Sequence, residues 1–432
     1  MPQYKAPLRD IQFVMHELLN AEQHYDKIPA YAGTNRELID GMVEAAADFS
    51  ENELAPINYS GDQEGCHYED GVVTTPKGFK EAYKKYAELG YPSLTIGVEH
   101  GGQGLPGSVG NAISELTGTA NWSWAMYPGL SHGAIRTLEH HGNAQQKEIY
   151  LSKLVSGEWT GTMCLTESHA GSDLGIIRTK AEPNEDGSYA ITGEKIFISA
   201  GEHDMADNIV HIVLARLPGA PKGTKGISLF IVPKFNVDAD GNIADRNTVR
   251  CASIEHKMGI HGNATCVMNF DGAKGFLIGP ENRGLNCMFT FMNVARIGTA
   301  IQGLAAAEGS FQGALAYARD RLAMRSLSGP KNPEKDADPI IVHPAVRNML
   351  LTQKAFAEGG RALVYFLSQF ADIVEAGETE EERKYADNIL SLLTPIAKAF
   401  LTETGSEAAK HGVQVFGGHG FIAEHGMEQI VR

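Results

Sequence analysis

The chain has 432 residues and a formal net charge of −16 at neutral pH. That length exceeds one compact core and predicts two or three packed units. The acidic balance excludes a broad nucleic-acid binder, which needs a basic footprint, though a few well-placed arginines can still hold an anionic ligand. Hydrophobic residues at 43% and charged residues at 21% are ordinary for a globular protein, and no apolar run approaches the length of a membrane span. Cys66, Cys164, Cys251, Cys266 and Cys287 are odd in number, scattered and never in a CxxC pair. That pattern excludes a disulfide framework and offers no zinc-site spacing, so no metal is expected.

In chain order, residues 1–34 read as an N-terminal extension. Its start, Met1 to Asp10, is polar and carries Pro2 and Pro7. It has the pattern of neither a secretory signal nor an Arg-rich transit peptide, so a cytoplasmic protein of bacterial type is expected. Residues 35–160 read as helical: Ile39, Met42, Val43 and Ala46 recur at helical spacing, and Phe79, Tyr83 and Tyr86 follow. The turn-rich stretch Gly97 to Gly107 interrupts these helices. Residues 161–280 change texture. Tyr189–Ser199, Ile209–Ala215, Gly226–Val232 and Cys266–Asp271 are short, rich in Ile, Val and Phe, and bounded by turn formers, which predicts strands. From residue 281 to 432 long helices return, over Leu285 to Arg325, His343 to Ala376 and Glu380 to His411. The order helical, β, helical is unlike a doubly wound sheet, which alternates strand and helix throughout.

Two glycine runs match the dinucleotide fingerprint. Gly102-Gln-Gly104-Leu-Pro-Gly107 follows a stretch that can be read as a strand, and Gly418-His-Gly420-Phe-Ile-Ala423 follows the apolar Val413-Gln-Val-Phe416. A nicotinamide site also needs a βαβ unit with an acidic residue about 20 positions on, at the end of the next strand. Glu115 falls in a helical pattern, and nine residues follow the second match. Gly102 and Gly104 are better read as glycines that let one backbone pass close to another.

The stretch richest in chemistry is Met163-Cys-Leu-Thr-Glu-Ser-His-Ala-Gly-Ser-Asp173, where hydroxyls and small residues crowd a strand-to-turn junction. Such a loop offers backbone N–H groups and the Thr166 and Ser172 hydroxyls to a polar, partly anionic ligand, although an ordinary Ser/Gly turn has the same composition. Leu165-Thr-Glu-Ser-His-Ala-Gly-Ser-Asp173 resembles the first signature of the acyl-CoA dehydrogenase family, departing from it at Ser168, where proline is usual. Further matches follow in family order: Gly193-Glu-Lys-Ile-Phe-Ile-Ser199, Lys257-Met-Gly-Ile-His-Gly262, Gly279-Pro-Glu-Asn-Arg-Gly-Leu285, Asn293-Val-Ala-Arg296, Arg319-Asp-Arg321 and Gln414-Val-Phe-Gly-Gly-His-Gly420. The N-terminal Tyr4-Lys-Ala-Pro-Leu-Arg-Asp10 and Met324-Arg-Ser-Leu-Ser-Gly-Pro330 are similar to the family's larger bacterial branch, which includes the 3-methylmercaptopropionyl-CoA dehydrogenases.

The resemblance implies a multi-domain α+β fold: an N-terminal α-helical domain, a middle β-barrel-like domain and a C-terminal helical bundle. It implies FAD as cofactor, with Met163, Leu165, Thr166 and Ser172 along the flavin ring. Phe197 would pack on that ring, beside Ile198, with Ser199 bonding near N5. Arg321 would reach the FAD pyrophosphate of a neighbouring subunit, which implies a homo-oligomer, a dimer or tetramer. Gln414, Gly417 and Gly418 would hold the adenosine half. The family usually has a glutamine where this chain has Pro344, which removes one amide contact. Ser172, Asn293 and Arg296 would meet the CoA moiety, and Trp124, Met126, Phe289 and Met292 are candidate walls of an acyl cavity or plain core residues.

The implied reaction is FAD-dependent α,β-desaturation of an acyl-CoA, with electrons passed to an electron-transferring flavoprotein. Proton removal from the α-carbon needs a carboxylate. In most of the family this is a Glu in a Tyr-Glu-Gly-Thr loop, which by spacing from Gln414 is expected beyond Arg432. In a minority it precedes the helix arginine, a position held here by Ala295. No catalytic base is therefore expected within residues 1–432, as though the sequence were truncated. Acyl-CoA oxidases and flavin monooxygenases on the same scaffold are alternatives, and a non-catalytic acyl-CoA-binding protein is a third.

Overall fold

The computed structural model describes residues 3–238 and 240–432; Met1 and Pro2 of the N-terminal extension lie outside it. Among the described residues the six longest helices are α1 (Arg36–Phe49), α2 (Gly107–Ala120), α3 (Trp122–His141), α4 (Gly284–Asp320), α5 (Pro344–Ala376) and α6 (Glu380–Phe416). Between α3 and α4 run seven strands of one sheet: β1 (Trp159–Cys164), β2 (Lys180–Pro183), β3 (Tyr189–Ser199), β4 (Asn208–Ala215), β5 (Ser228–Pro233), β6 (Val249–Ile254) and β7 (Thr265–Ile278). The chain divides into two compact units. One is Met1–Tyr59, Leu105–Trp122 and Arg296–Arg432; the other is Ser60–Gly104 and Ser123–Ala295.

The second unit holds the sheet, in the order β1-β4-β5-β7-β3-β2, with β6 also paired to β7. Only β1 and β4 run parallel. Beyond the end of β4, Arg216 exchanges backbone hydrogen bonds of 2.9 Å with Thr179 and Ala181. That bridge brings β2 back toward β4 and curls the sheet, giving the barrel-like form. Strands β4 and β5 are buried at every position, which explains their unbroken apolar runs. Their alternate residues serve two cores: Val210, Ile212, Leu214, Leu229 and Ile231 pack with α3 residues such as Ala134 and Leu138, while Val213, Ala215, Phe230 and Val232 pack with Ile191, Ile198 and Val249. Trp124 is core rather than cavity wall, fully buried with its indole N–H on the Phe79 carbonyl at 3.1 Å.

The first unit is helical. Asn35 caps α1 by accepting from Leu38 N–H, and a Thr379–Glu382 capping box starts α6. Helices α5 and α6 form an antiparallel hairpin across the short link Gly377–Thr379. Helix α6 meets the later part of α4 at paired glycines: a Cβ on Gly303 would lie 2.1 Å from the Leu401 carbonyl oxygen, and one on Gly405 2.4 Å from the Gly303 oxygen. Any larger residue there would force the two backbones apart.

Three sequence expectations need correction. Helix α4 stops at Asp320, not Arg325, because the Asp338 carboxylate gathers Ser326, Lys331 and Asn332 N–H and the Arg325 guanidinium into a folded loop. Helix α6 runs on to Phe416, so the second glycine fingerprint follows a helix. The first follows a 3-10 turn, Val98–His100. Neither lies in a βαβ unit. Among the described residues no helix is long and apolar enough to cross a membrane, and all five cysteines are free thiols.

Candidate functional site

The loop after β1 is closed on itself by a reciprocal pair of backbone hydrogen bonds, Glu167 N–H to Ala170 O and Ala170 N–H to Glu167 O, each 2.9 Å. It is then tied to β3 in two ways. Ile196 N–H donates to the Thr166 carbonyl at 2.9 Å. Lys195 Nζ, fully buried, donates to the Leu165 carbonyl at 3.0 Å and to Glu167 Oε1 at 2.9 Å. The Glu167 carboxylate also accepts from Arg178 N–H (2.7 Å), Thr179 N–H (3.0 Å) and the Thr179 hydroxyl (2.7 Å). Burial alone would raise the Glu167 carboxyl, but the Lys195 charge and these donors hold it below the ordinary carboxylate range. Burial also lowers the Lys195 ammonium, against the pull of Glu167.

Strand β3 bulges immediately beyond Lys195. Cys266 pairs with Ile198 and Met268 with Lys195, so Ile196 and Phe197 together stand opposite Val267 alone. A bulge of this kind re-aims the extra side chain. Phe197 takes a φ of +59°, a left-handed conformation that costs an aromatic residue free energy, and the residue is 60% exposed. Its neighbour Ile198 points into the core, leaving only its backbone for a ligand; Ser199 is half-buried. Across the loop, Leu165 is buried, Met163 and Thr166 are half-buried, and Ser172 is exposed. An exposed ring held in a strained backbone beside a pinned loop fits a flat aromatic partner such as a flavin ring.

On helix α4, Asn293 is exposed and Arg296 half-buried three residues later, on the same side of the helix. Met126 and Met292 are half-buried, and Phe289 is exposed.

In the helical unit, Arg321 lies at the C-cap of α4 rather than within the helix, with an exposed side chain and its N–H on the Tyr317 carbonyl. Tyr317 stacks on Phe416, ring centroids 4.1 Å apart at 19°, and its hydroxyl lies 2.9 Å from His419 Nδ1. This stack brings the Arg321 end of α4 beside the turn that ends α6. Gly417 there has φ 58° and ψ −135°, a conformation open only to glycine, and Gln414, Gly417 and Gly418 are exposed. An exposed guanidinium is suited to phosphate, and an uncovered backbone turn to a polar ring edge.

Sequence reasoning missed Lys195, Thr179, Tyr317 and His419. Lys195 left a signal: it stands four residues after the inward-facing Ile191 on one strand, in the register of the core.

Family models match most of the chain: the acyl-CoA dehydrogenase N-terminal domain over residues 39–158, the middle domain over 162–273 and the C-terminal domain over 282–432. The chain is 45% identical to a 3-methylmercaptopropionyl-CoA dehydrogenase of Ruegeria pomeroyi, over 99% of this chain and 72% of that protein. It is 35% identical to a butyryl-CoA dehydrogenase of Syntrophomonas wolfei, again over 99% and 72%. Among solved structures, an acyl-CoA dehydrogenase of Bacillus anthracis complexed with FAD superposes with a TM-score of 0.73 at 24% identity, covering 94% of this chain and 66% of that one.

Proposed function

Because the chain belongs to the acyl-CoA dehydrogenase family, a family of FAD-dependent oxidoreductases, we propose that it desaturates an acyl-CoA thioester between Cα and Cβ and passes the electrons to an electron-transferring flavoprotein. The observation that carries this reading is the Phe197 bulge beside the loop pinned by Lys195 and Glu167. Bound FAD supplies the acceptor for the hydride that leaves Cβ. Phe197 packs on the flavin, while Met163, Leu165, Thr166, Ser172, the Ile198 backbone and Ser199 set its orientation. Arg321, Gln414, Gly417 and Gly418 form a second patch, which takes the pyrophosphate and adenosine of a FAD held by a neighbouring copy. Ser172, Asn293 and Arg296 bind CoA; a half-buried guanidinium on a helix is suited to its phosphates.

No base is assigned among these residues. Glu167 is committed to Lys195 with a lowered pKa, the wrong direction for a group that must take a proton from carbon near neutral pH, and Ala295 has no carboxylate.

An oligomer is supported by Tyr385, Leu392, Ile396 and Phe400, exposed along one face of α6. Monomers rarely leave such a stripe uncovered. Sedimentation of Ile396→Asp should show smaller particles than wild type; identical particles would contradict a second copy on this face.

The direct test of function is anaerobic addition of 3-methylmercaptopropionyl-CoA, butyryl-CoA and longer acyl-CoAs to the FAD-loaded protein. Bleaching of the flavin band, reversed faster by electron-transferring flavoprotein than by oxygen, is expected. Fast reoxidation by oxygen would indicate an oxidase or monooxygenase, and absence of bleaching with every thioester would indicate a binding protein.

A further inference from the structure

The Lys195–Glu167 pair lies at the crossing of two segments that come from different strands. Glu167 belongs to the loop after β1, and Lys195 precedes the bulge of β3 by one residue. Lys195 also grips the Leu165 carbonyl, so a single ammonium holds the loop at two points. Glu167 in turn reaches past its own loop to Arg178 N–H and to the Thr179 N–H and hydroxyl, at the entry to β2. Three pieces of chain are thus joined through one carboxylate. Neither charge is available to solvent: Lys195 is fully buried and Glu167 nearly so. A buried pair of this kind adds little net stability compared with a well-packed apolar pair of the same volume, because desolvation offsets the attraction. What it does supply is a fixed relative position, since each partner is costly to move away from the other.

We infer that Lys195 and Glu167 are positioning residues that lock the Leu165–Ser172 loop to the Phe197 bulge, so that both present to the flavin as one rigid surface before it binds. This rests on the flavin reading above. Without the lock, Phe197 is free to relax from its positive φ and the loop to drift from β3. FAD binding must then order both segments, which weakens the apparent affinity.

The test uses the apoprotein of wild type, Lys195→Met and Thr179→Val, titrated with FAD by flavin fluorescence quenching, with visible circular dichroism of the bound flavin as a second readout. Far-UV circular dichroism verifies that each variant is folded. Folded Lys195→Met should bind FAD at least about tenfold more weakly and give an altered visible dichroism, a change that a purely structural role would not produce in a folded protein. Thr179→Val removes one donor to Glu167 and keeps both charges, so a smaller weakening is expected. If Lys195→Met does not fold, Thr179→Val carries the test alone, and unchanged affinity in it overturns the proposal. Wild-type affinity and dichroism in folded Lys195→Met overturn the lock while leaving the flavin reading intact. Wild-type protein that takes up no FAD overturns the flavin reading, and the lock with it.

Discussion

Tyr317 and Phe416 stack face to face, ring centroids 4.1 Å apart, where the end of α4 meets the end of α6. The contact brings the end of α4 that carries Arg321 to the turn that carries Gly417 and Gly418, although long stretches of helix separate them in sequence, and the Tyr317 hydroxyl extends it to His419. Replacing Tyr317 by leucine keeps apolar volume and removes both the stack and the hydroxyl contact. The variant should lose about 1–2 kcal/mol of stability and retain FAD less well through gel filtration. Unchanged melting and unchanged flavin content would show that the stack does not organise this patch.

Phe197 separates binding from stability. Its left-handed backbone costs roughly 1–2 kcal/mol, and a glycine relieves that cost while losing about 0.5–1 kcal/mol to backbone entropy. With its ring mostly exposed, little burial is lost. Phe197→Gly should therefore leave the apoprotein within about 1 kcal/mol of wild type in urea and still bind FAD at least about tenfold more weakly. A large drop in apoprotein stability would mean that the ring is a structural element and not a binding surface.

His203 and His211 are buried in the β-rich unit, each within hydrogen-bonding distance of a threonine hydroxyl: Thr160 at 2.9 Å and Thr162 at 2.7 Å. Burial first, and then nearby cations including Lys234, hold both imidazoles down to about 3 from an ordinary 6.5. The folded state keeps the rings neutral while the unfolded chain protonates them. Their contribution is therefore fully present above about pH 6.5 and is lost as the pH falls toward about 3. In that window each histidine steepens the decline by up to about 1.4 kcal/mol per pH unit. His211→Gln should flatten the dependence of unfolding free energy on pH between 6.5 and 4 by up to one proton's share. An unaltered slope would mean that His211 is not buried neutral.

Arg361 is fully buried between two carboxylates. Its Nε and Nη2 donate to Glu115 Oε1 at 2.8 and 2.6 Å, and Nη2 also reaches Glu308 Oε2 at 2.9 Å. The Tyr365 hydroxyl donates to Glu115 Oε2 at 2.6 Å. Burial pushes the Glu115 carboxyl up even with this cation beside it, so Arg361 is what permits two acids inside the helical unit. Arg361→Met strands both and should cost about 3–5 kcal/mol. Adding Glu115→Gln should restore part of the loss, read by chemical denaturation; an additive or larger loss in the double variant would contradict the pairing.

Much of the architecture was legible from the chain alone. The period-two and fully apolar runs marked β3, β4 and β5 to within a residue or two, because a strand's burial pattern is written in its own neighbours. β2 and β6 escaped notice: both are short and mix exposed with buried positions, so no apolar run announces them. The end of α4 escaped for a different reason. Helical propensity continues past Asp320, and the competitor that stops it is Asp338, a residue placed by the loop's return.

For the site, local motifs marked the candidate segments: the Leu165–Asp173 loop, the Gly193–Ser199 strand, Arg321 and the Gln414–Gly420 turn are all contiguous in the chain. How those segments are placed depends on contacts between distant parts of the chain. The bulge that exposes Phe197 depends on which residues of β7 lie opposite β3. The role of Glu167 depends on Lys195 arriving from another strand, and the company of Arg321 depends on Tyr317 meeting Phe416. Register, buried charge pairing and aromatic stacking are set by partners distant in the chain, and a carboxylate acquires its pKa only when the charge beside it is in place.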